Sequence, residues 1–218
     1  IPRINSKGFD LDDDVDLNLL LNAIEQQRNE TLVGKTIVGG NPQEGEQVAI
    51  RNPSDNTDNA GEVTFASAEA IKESLMAAHG YQQHWQDFGA SGRGAILEAW
   101  ADALEANTPE LIGIISREAG RTLADAIDEV REAVDFCRHY SNQAQSPDYI
   151  NGQALGTVFC VSPWNFPLAI FVGPISAALA AGNCVIAKPA EQTPAIATRA
   201  IELLLQAGCP SSAIHLLQ

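Results

Sequence analysis

Apolar residues recur along the chain with two different periods, and the change between them falls near Gln145. Upstream the spacing is mostly helical. Leu17, Leu20, Leu21 and Ile24 predict a short amphipathic helix with these four on its inner face. Between Val33 and Thr64 the chain is broken by Gly, Asn, Pro and Asp, with β-prone pieces at 36–38, 48–50 and 63–65, a pattern of hairpins or edge strands. Helical spacing then returns. Ser67 is placed to cap a helix with Ile71, Leu75 and Ala78 inward, and a second helix has Leu97, Trp100 and Leu104 on one side. Thr108-Pro109-Glu110 opens a third, through Leu111, Ile114 and Ile115 to a stop at Gly120. Thr122 and Asp125, at capping-box spacing, open a fourth with Ile127, Val130, Val134 and Cys137 inward.

Beyond Gln145 short, wholly apolar runs alternate with helices. Residues 156–161 predict a buried strand, 168–181 a helix stopped by Gly182 and Asn183, and 184–187 a second buried strand ending at Lys188. Thr193-Pro194 starts another helix, Gly208 ends it, and 214–217 begins a third strand. This β-α-β-α-β grammar predicts an α/β fold with a parallel, Rossmann-like sheet and right-handed crossovers.

Charge and cysteine content narrow the partners. A formal net charge of −15 opposes a polyanion, so no nucleic-acid partner is expected. The longest apolar stretch holds Gly173 and Pro174 and is too short for a membrane span, so the chain is expected to be soluble and cytoplasmic. Cys137, Cys160, Cys184 and Cys209 are far apart, with neither pairs nor histidines at ligand spacing, and read as reduced core thiols. The acids at Asp10 and Asp12–Asp14 lack the glycine and glutamate of a calcium loop and read as helix capping, so no metal is expected.

Ligands of an open parallel sheet bind beyond the carboxyl ends of its strands. That rule singles out Ser162-Pro163-Trp164-Asn165-Phe166-Pro167 and Lys188-Pro189-Ala190-Glu191-Gln192-Thr193-Pro194. In each, prolines restrict a loop that carries polar groups. Asn165 offers neutral amide donors suited to an oxyanion, while Lys188 and Glu191 offer a cation and an anion three residues apart. A carboxylate that accepts from ribose hydroxyls repels the 2′-phosphate of NADP and so favours NAD. Position alone leaves alternatives: Asn165 as a turn or cap residue, Lys188 and Glu191 as solvated surface, Trp164 as packing.

The string V-S-P-W-N-F-P-L from Val161, followed by A-A-L-A-A-G-N and K-P-A-E-Q-T-P, resembles the aldehyde dehydrogenase superfamily, as does the helical stretch from Ser116 to Tyr140. Within it, N-S-K-G-F-D-L at Asn5 and D-E-V-R-E-A-V-D-F-C-R-H-Y resemble the bifunctional proline-utilisation proteins, in which proline dehydrogenase is fused to L-glutamate γ-semialdehyde dehydrogenase. The resemblance implies that 1–30 is a linker and short helix from an upstream domain and that 31–218 is the N-terminal portion of the NAD-binding domain. It implies Asn165 as oxyanion donor, Ser162, Pro163 and Trp164 lining the cofactor channel, Lys188 and Glu191 at the adenosine ribose, and Phe166 near the substrate entrance. NAD is the implied cofactor, with FAD where a proline dehydrogenase domain precedes, and a homo-oligomer is the implied assembly. The family's catalytic cysteine, general-base glutamate and pyrophosphate turn are expected beyond Gln218, in a C-terminal half that this chain would need as a partner, so the chain alone is expected to be inactive. Three other readings stay open: a non-catalytic aldehyde-dehydrogenase-like structural domain, an aldehyde dehydrogenase with another substrate, and a module that senses NAD.

Overall fold

A computed structural model of the protein describes residues 4–146 and 152–218. Among them the chain runs α1 (Asp14–Asn29), β1 (Leu32–Gly34), β2 (Ile37–Val38), β3 (Asn41–Pro42), β4 (Gln47–Asn52), β5 (Asp55–Thr64), α2 (Ala68–Asp87), α3 (Ala90–Ala106), α4 (Thr108–Ala119), α5 (Leu123–Ala144), β6 (Thr157–Val161), α6 (Ala169–Ala180), β7 (Cys184–Lys188), α7 (Pro194–Gln206) and β8 (Ile214–Leu216). Three of the helix starts, those of α1, α2 and α5, are occupied by their own capping side chains. Asp13 accepts from Val15 N, Ser67 from Ala70 N and Thr122 from Asp125 N, each satisfying a backbone donor that has no partner within the helix. Gly120 ends α4 with φ +66°, the left-handed conformation that reverses the chain there.

Strands β6, β7 and β8 pair in parallel, Val161 opposite Lys188 and Ile186 opposite His215, as the alternation of strands and helices predicts. Beyond these three strands the sheet is extended by a hairpin and is mixed as a whole. Its order is β3-β2-β8-β7-β6, and β2 runs antiparallel to β8 with Ile37 opposite Leu216. The physical reason is that the β2–β3 hairpin covers the free edge of β8, where Gln218 N donates to Thr36 Oγ1 at 3.2 Å. A separate three-stranded sheet has the order β1-β5-β4. There β5 begins at Asp55, well before the expected Val63, because backbone pairing with β4 recruits polar side chains that face solvent.

Two amphipathic faces also differ from expectation. On α2 the buried residues are Ala70, Ser74, Ala78 and Trp85, while Ile71 and Leu75 are half exposed. Small side chains let this helix lie close to β6, β7 and β8, and the larger two turn toward an apolar cavity of about 390 Å³ shared with Phe159 and Ile186. On α1 only Leu20 is buried and Leu21 is exposed, since α1 is an outer helix that touches α4 along one stripe. The rest of the helical layer follows its periodicity: Leu97, Trp100, Leu104, Leu111, Ile115, Val130, Val134 and Cys137 are buried. Trp100 Nε1 donates to Ala200 O at 3.0 Å, tying α3 to α7.

The segment ahead of α1 lies against these helices. Ser6 N donates to Asp135 and Lys7 N to Glu105, while Arg138 bridges Asp102 and Glu105. Residues 1–3 of the expected linker lie outside the described residues. No helix among the described residues is long and apolar enough to cross a membrane.

Candidate active site

The two loops singled out by the sequence leave the carboxyl ends of neighbouring parallel strands. Val161 and Lys188 are directly opposite in the β6–β7 ladder, and Ser162 N extends the pairing by donating to Lys188 O at 3.1 Å. The first loop therefore starts beside the second. Within it Ser162 and Pro167 are buried and Asn165 is half-buried, while Trp164 and Phe166 are 51% and 41% exposed, more than packing residues would be. Of the expected site residues on this loop, Ser162 is thus buried, while Pro163, Trp164, Asn165 and Phe166 are at least partly open to solvent or to a ligand.

In the second loop Lys188 Nζ donates to Glu191 Oε1 and to Pro189 O, both at 2.9 Å. The hydrogen bond from Lys188 holds the Glu191 carboxyl below the usual range, so it is ionised at neutral pH. Pro189 and Ala190 are buried and Glu191 is exposed, which fixes the backbone while presenting the carboxylate outward. A cation and an anion at a strand tip can bind a diol: the carboxylate accepts from hydroxyls and the ammonium donates to them.

Behind the loops lie two groups that the sequence reading missed. Neither α6 nor α7 is capped by its own N-terminal side chain. Instead Glu129 Oε2, from α5, accepts from Leu168 N at 3.2 Å and Ala169 N at 2.9 Å. Glu118, at the end of α4, accepts from Ala195 N with Oε1 at 2.7 Å and from Ile196 N with Oε2 at 3.0 Å. Both glutamates are 2% exposed. Burial pushes the Glu118 carboxyl up to about 8 and that of Glu129 upward, with the backbone N–H groups pulling the other way. A signal for them existed: each carboxylate falls on the apolar stripe of its helix, Glu118 in series with Leu111 and Ile115, Glu129 with Ala126 and Ala133. Arg121 adds a third contact, its guanidinium 5.2 Å from the Phe166 ring centre.

None of the four cysteines is exposed. Burial pushes Cys160 and Cys184 to about 11 and Cys209 to about 12, and it also raises Cys137 well above its ordinary value, so each is a neutral thiol near pH 7.

The sequence pattern described as "Aldehyde dehydrogenase family" matches residues 41–218. The chain belongs to the aldehyde dehydrogenase family. It is 43% identical to the bifunctional protein PutA of Klebsiella aerogenes across 99% of this chain and 16% of that protein. It is 31% identical to the alpha-ketoglutaric semialdehyde dehydrogenase of Bacillus subtilis, over 80% of this chain and 38% of that enzyme. Among solved structures, a Thermus 1-pyrroline-5-carboxylate dehydrogenase with bound NAD superposes with a TM-score of 0.94 at 26% identity, covering all of this chain and 45% of that one. The PutA of Bdellovibrio bacteriovorus superposes at 0.92 with 27% identity, over 25% of its length. The chain has the N-terminal part of the aldehyde dehydrogenase fold, and it spans 16% of the PutA proteins to which it is similar.

Proposed function

We propose that this chain supplies the oxyanion donor and the adenosine-ribose site of an NAD-dependent aldehyde dehydrogenase that oxidises L-glutamate γ-semialdehyde to glutamate. The observation that carries the reading is the join between the loops: Ser162 N donating to Lys188 O sets the amide-bearing turn beside the Lys188–Glu191 pair. The similarity to PutA and to a 1-pyrroline-5-carboxylate dehydrogenase with bound NAD supports the substrate and the cofactor.

The residues present fit part of the cofactor. Ionised Glu191 would accept from the ribose hydroxyls, Lys188 would donate to them, and the carboxylate would repel a 2′-phosphate. The N-termini of α6 and α7 are already occupied by glutamate carboxyl groups, so the pyrophosphate would be met by groups outside this chain. Bound NAD supplies a hydride acceptor. Asn165 would donate its amide N–H to the aldehyde oxygen as a thiolate adds to the carbonyl carbon and charge builds on that oxygen. Being neutral, the amide stabilises the oxyanion without holding the thiolate in an ion pair. Ser162, Pro163 and Trp164 would line the cofactor channel and Phe166 the substrate entrance. The thiolate must come from outside this chain, because all four of its cysteines are buried neutral thiols.

NADH formation from L-glutamate γ-semialdehyde tests the reading. The longer polypeptide that carries this segment is expected to turn over and the isolated chain to be inactive. Turnover by the isolated chain that survives thiol blocking, or none by the longer polypeptide, would overturn it.

A further inference from the structure

Each site loop runs directly into a helix, and the first free N–H groups of that helix are held from outside. For α6 the N-cap position is Leu168, which has no side-chain acceptor, and Pro167 before it has no N–H. For α7 the N-cap position is Thr193, a residue type that normally caps, yet its hydroxyl is buried and without a partner. The acceptors come instead from α5 and α4, through Glu129 and Glu118. These carboxylates lie 39 and 77 residues before the first backbone donors they hold. Glu129 takes its two N–H groups three and four residues after Asn165, and Glu118 takes its two four and five residues after Glu191.

The geometry points to Glu129 and Glu118 as positioning residues, one for each half of the site: Glu129 sets the loop that carries Asn165, and Glu118 sets the loop that carries Lys188 and Glu191. This rests on the function proposed above. A helix end held by one neutral hydroxyl of its own can pivot with the loop. An end tied to a buried carboxylate from a second, packed helix cannot move without breaking two hydrogen bonds in a site closed to water. Arg121, over the ring of Phe166, adds a contact to the residue next to Asn165. The two carboxylates also differ in use. Glu129 employs Oε2 for both donors and its Oε1 has no partner, whereas Glu118 uses one oxygen for each donor.

That difference makes the glutamine variants informative. In the longer polypeptide that carries this segment, Glu129→Gln keeps an oxygen for both N–H groups and is expected to retain wild-type kinetics. Glu129→Ala is expected to lower kcat on the order of tenfold with KM for NAD little changed, because the lost order falls on the oxyanion donor. Glu118→Gln places an NH₂ against one of the two N–H groups, so it and Glu118→Ala are expected to raise KM for NAD on the order of tenfold with kcat little changed. Should the alanine variants fail to fold, the glutamine pair decides. Wild-type kinetics in both glutamine variants, or the same loss of kcat in both with KM unchanged, would overturn the proposal while leaving the enzyme's function intact. A wild-type polypeptide with no NAD-dependent aldehyde oxidation would instead overturn the function, and this inference with it.

Discussion

Replacing Asn165 with alanine removes a neutral donor and leaves the loop's prolines in place, so the change isolates the proposed oxyanion interaction. In the longer polypeptide kcat is expected to fall by about a hundredfold or more, with KM for NAD little changed, as measured by NADH formation. Glu191→Gln leaves an oxygen acceptor but removes the charge that would repel a 2′-phosphate. The expected result is a lower ratio of kcat/KM for NAD over NADP, and an unchanged ratio would remove Glu191 from the ribose site. Asn165, Lys188 and Glu191 were legible in the sequence because each stands in a proline-bounded loop just after an apolar strand. Glu118 and Glu129 showed only as carboxylates on apolar helix stripes; what they bind is backbone N–H far along the chain, and residue identity does not record that pairing.

At the scale of elements, close approach of backbones tests the sheet that flanks the site. Gly61 lies opposite Leu32 in the parallel β1–β5 pair, and a Cβ at Gly61 would stand 1.8 Å from Leu32 O. Gly61→Ala is therefore expected to break that pairing, and chemical denaturation should show a loss well above the ~1 kcal/mol of an ordinary cap removal. Thr122→Ala supplies that ordinary case at the start of α5, about 1 kcal/mol by the same measurement. The helices were largely readable from their spacing, since Leu97, Trp100 and Leu104 or Val130, Val134 and Cys137 meet one apolar layer. The face of α2 was not. Ile71 and Leu75 are as apolar as a core stripe, but Ala70, Ser74 and Ala78 permit the closer approach, and which stripe is buried depends on the surface it meets. The polar start of β5 was hidden for a similar reason: its pairing is made by backbone, whatever the side chains.

Across the whole molecule, buried and surface carboxylates impose opposite dependences on pH. Glu118 has its folded value raised from 4.5 to about 8, so the folded state keeps a proton that the unfolded chain releases in that window. Its contribution to stability is complete below the unfolded value and is lost as pH rises through the folded one; Glu129 has the same sign. Asp58, lowered by its hydrogen bond to Arg117, acts the other way and weakens the fold as pH falls. Urea denaturation across a pH series is expected to show stability declining above about pH 5, with a slope approaching ~1.4 kcal/mol per pH unit. Glu118→Gln should flatten that decline, and an unchanged slope would mean that Glu118 is ionised in the folded state.

The sequence by itself determined the order of helices and strands, the two loops with their polar side chains, and the family. Each of these is written in local spacing or in a contiguous string. Only the tertiary structure decided that a hairpin from the N-terminal region closes the edge of β8, that α2 buries its small residues, and that two distant glutamates hold the helix ends behind the loops. The reason is physical: periodicity records how a segment is oriented about its own axis, whereas pairing partners and buried acceptors depend on which segment comes to lie beside it.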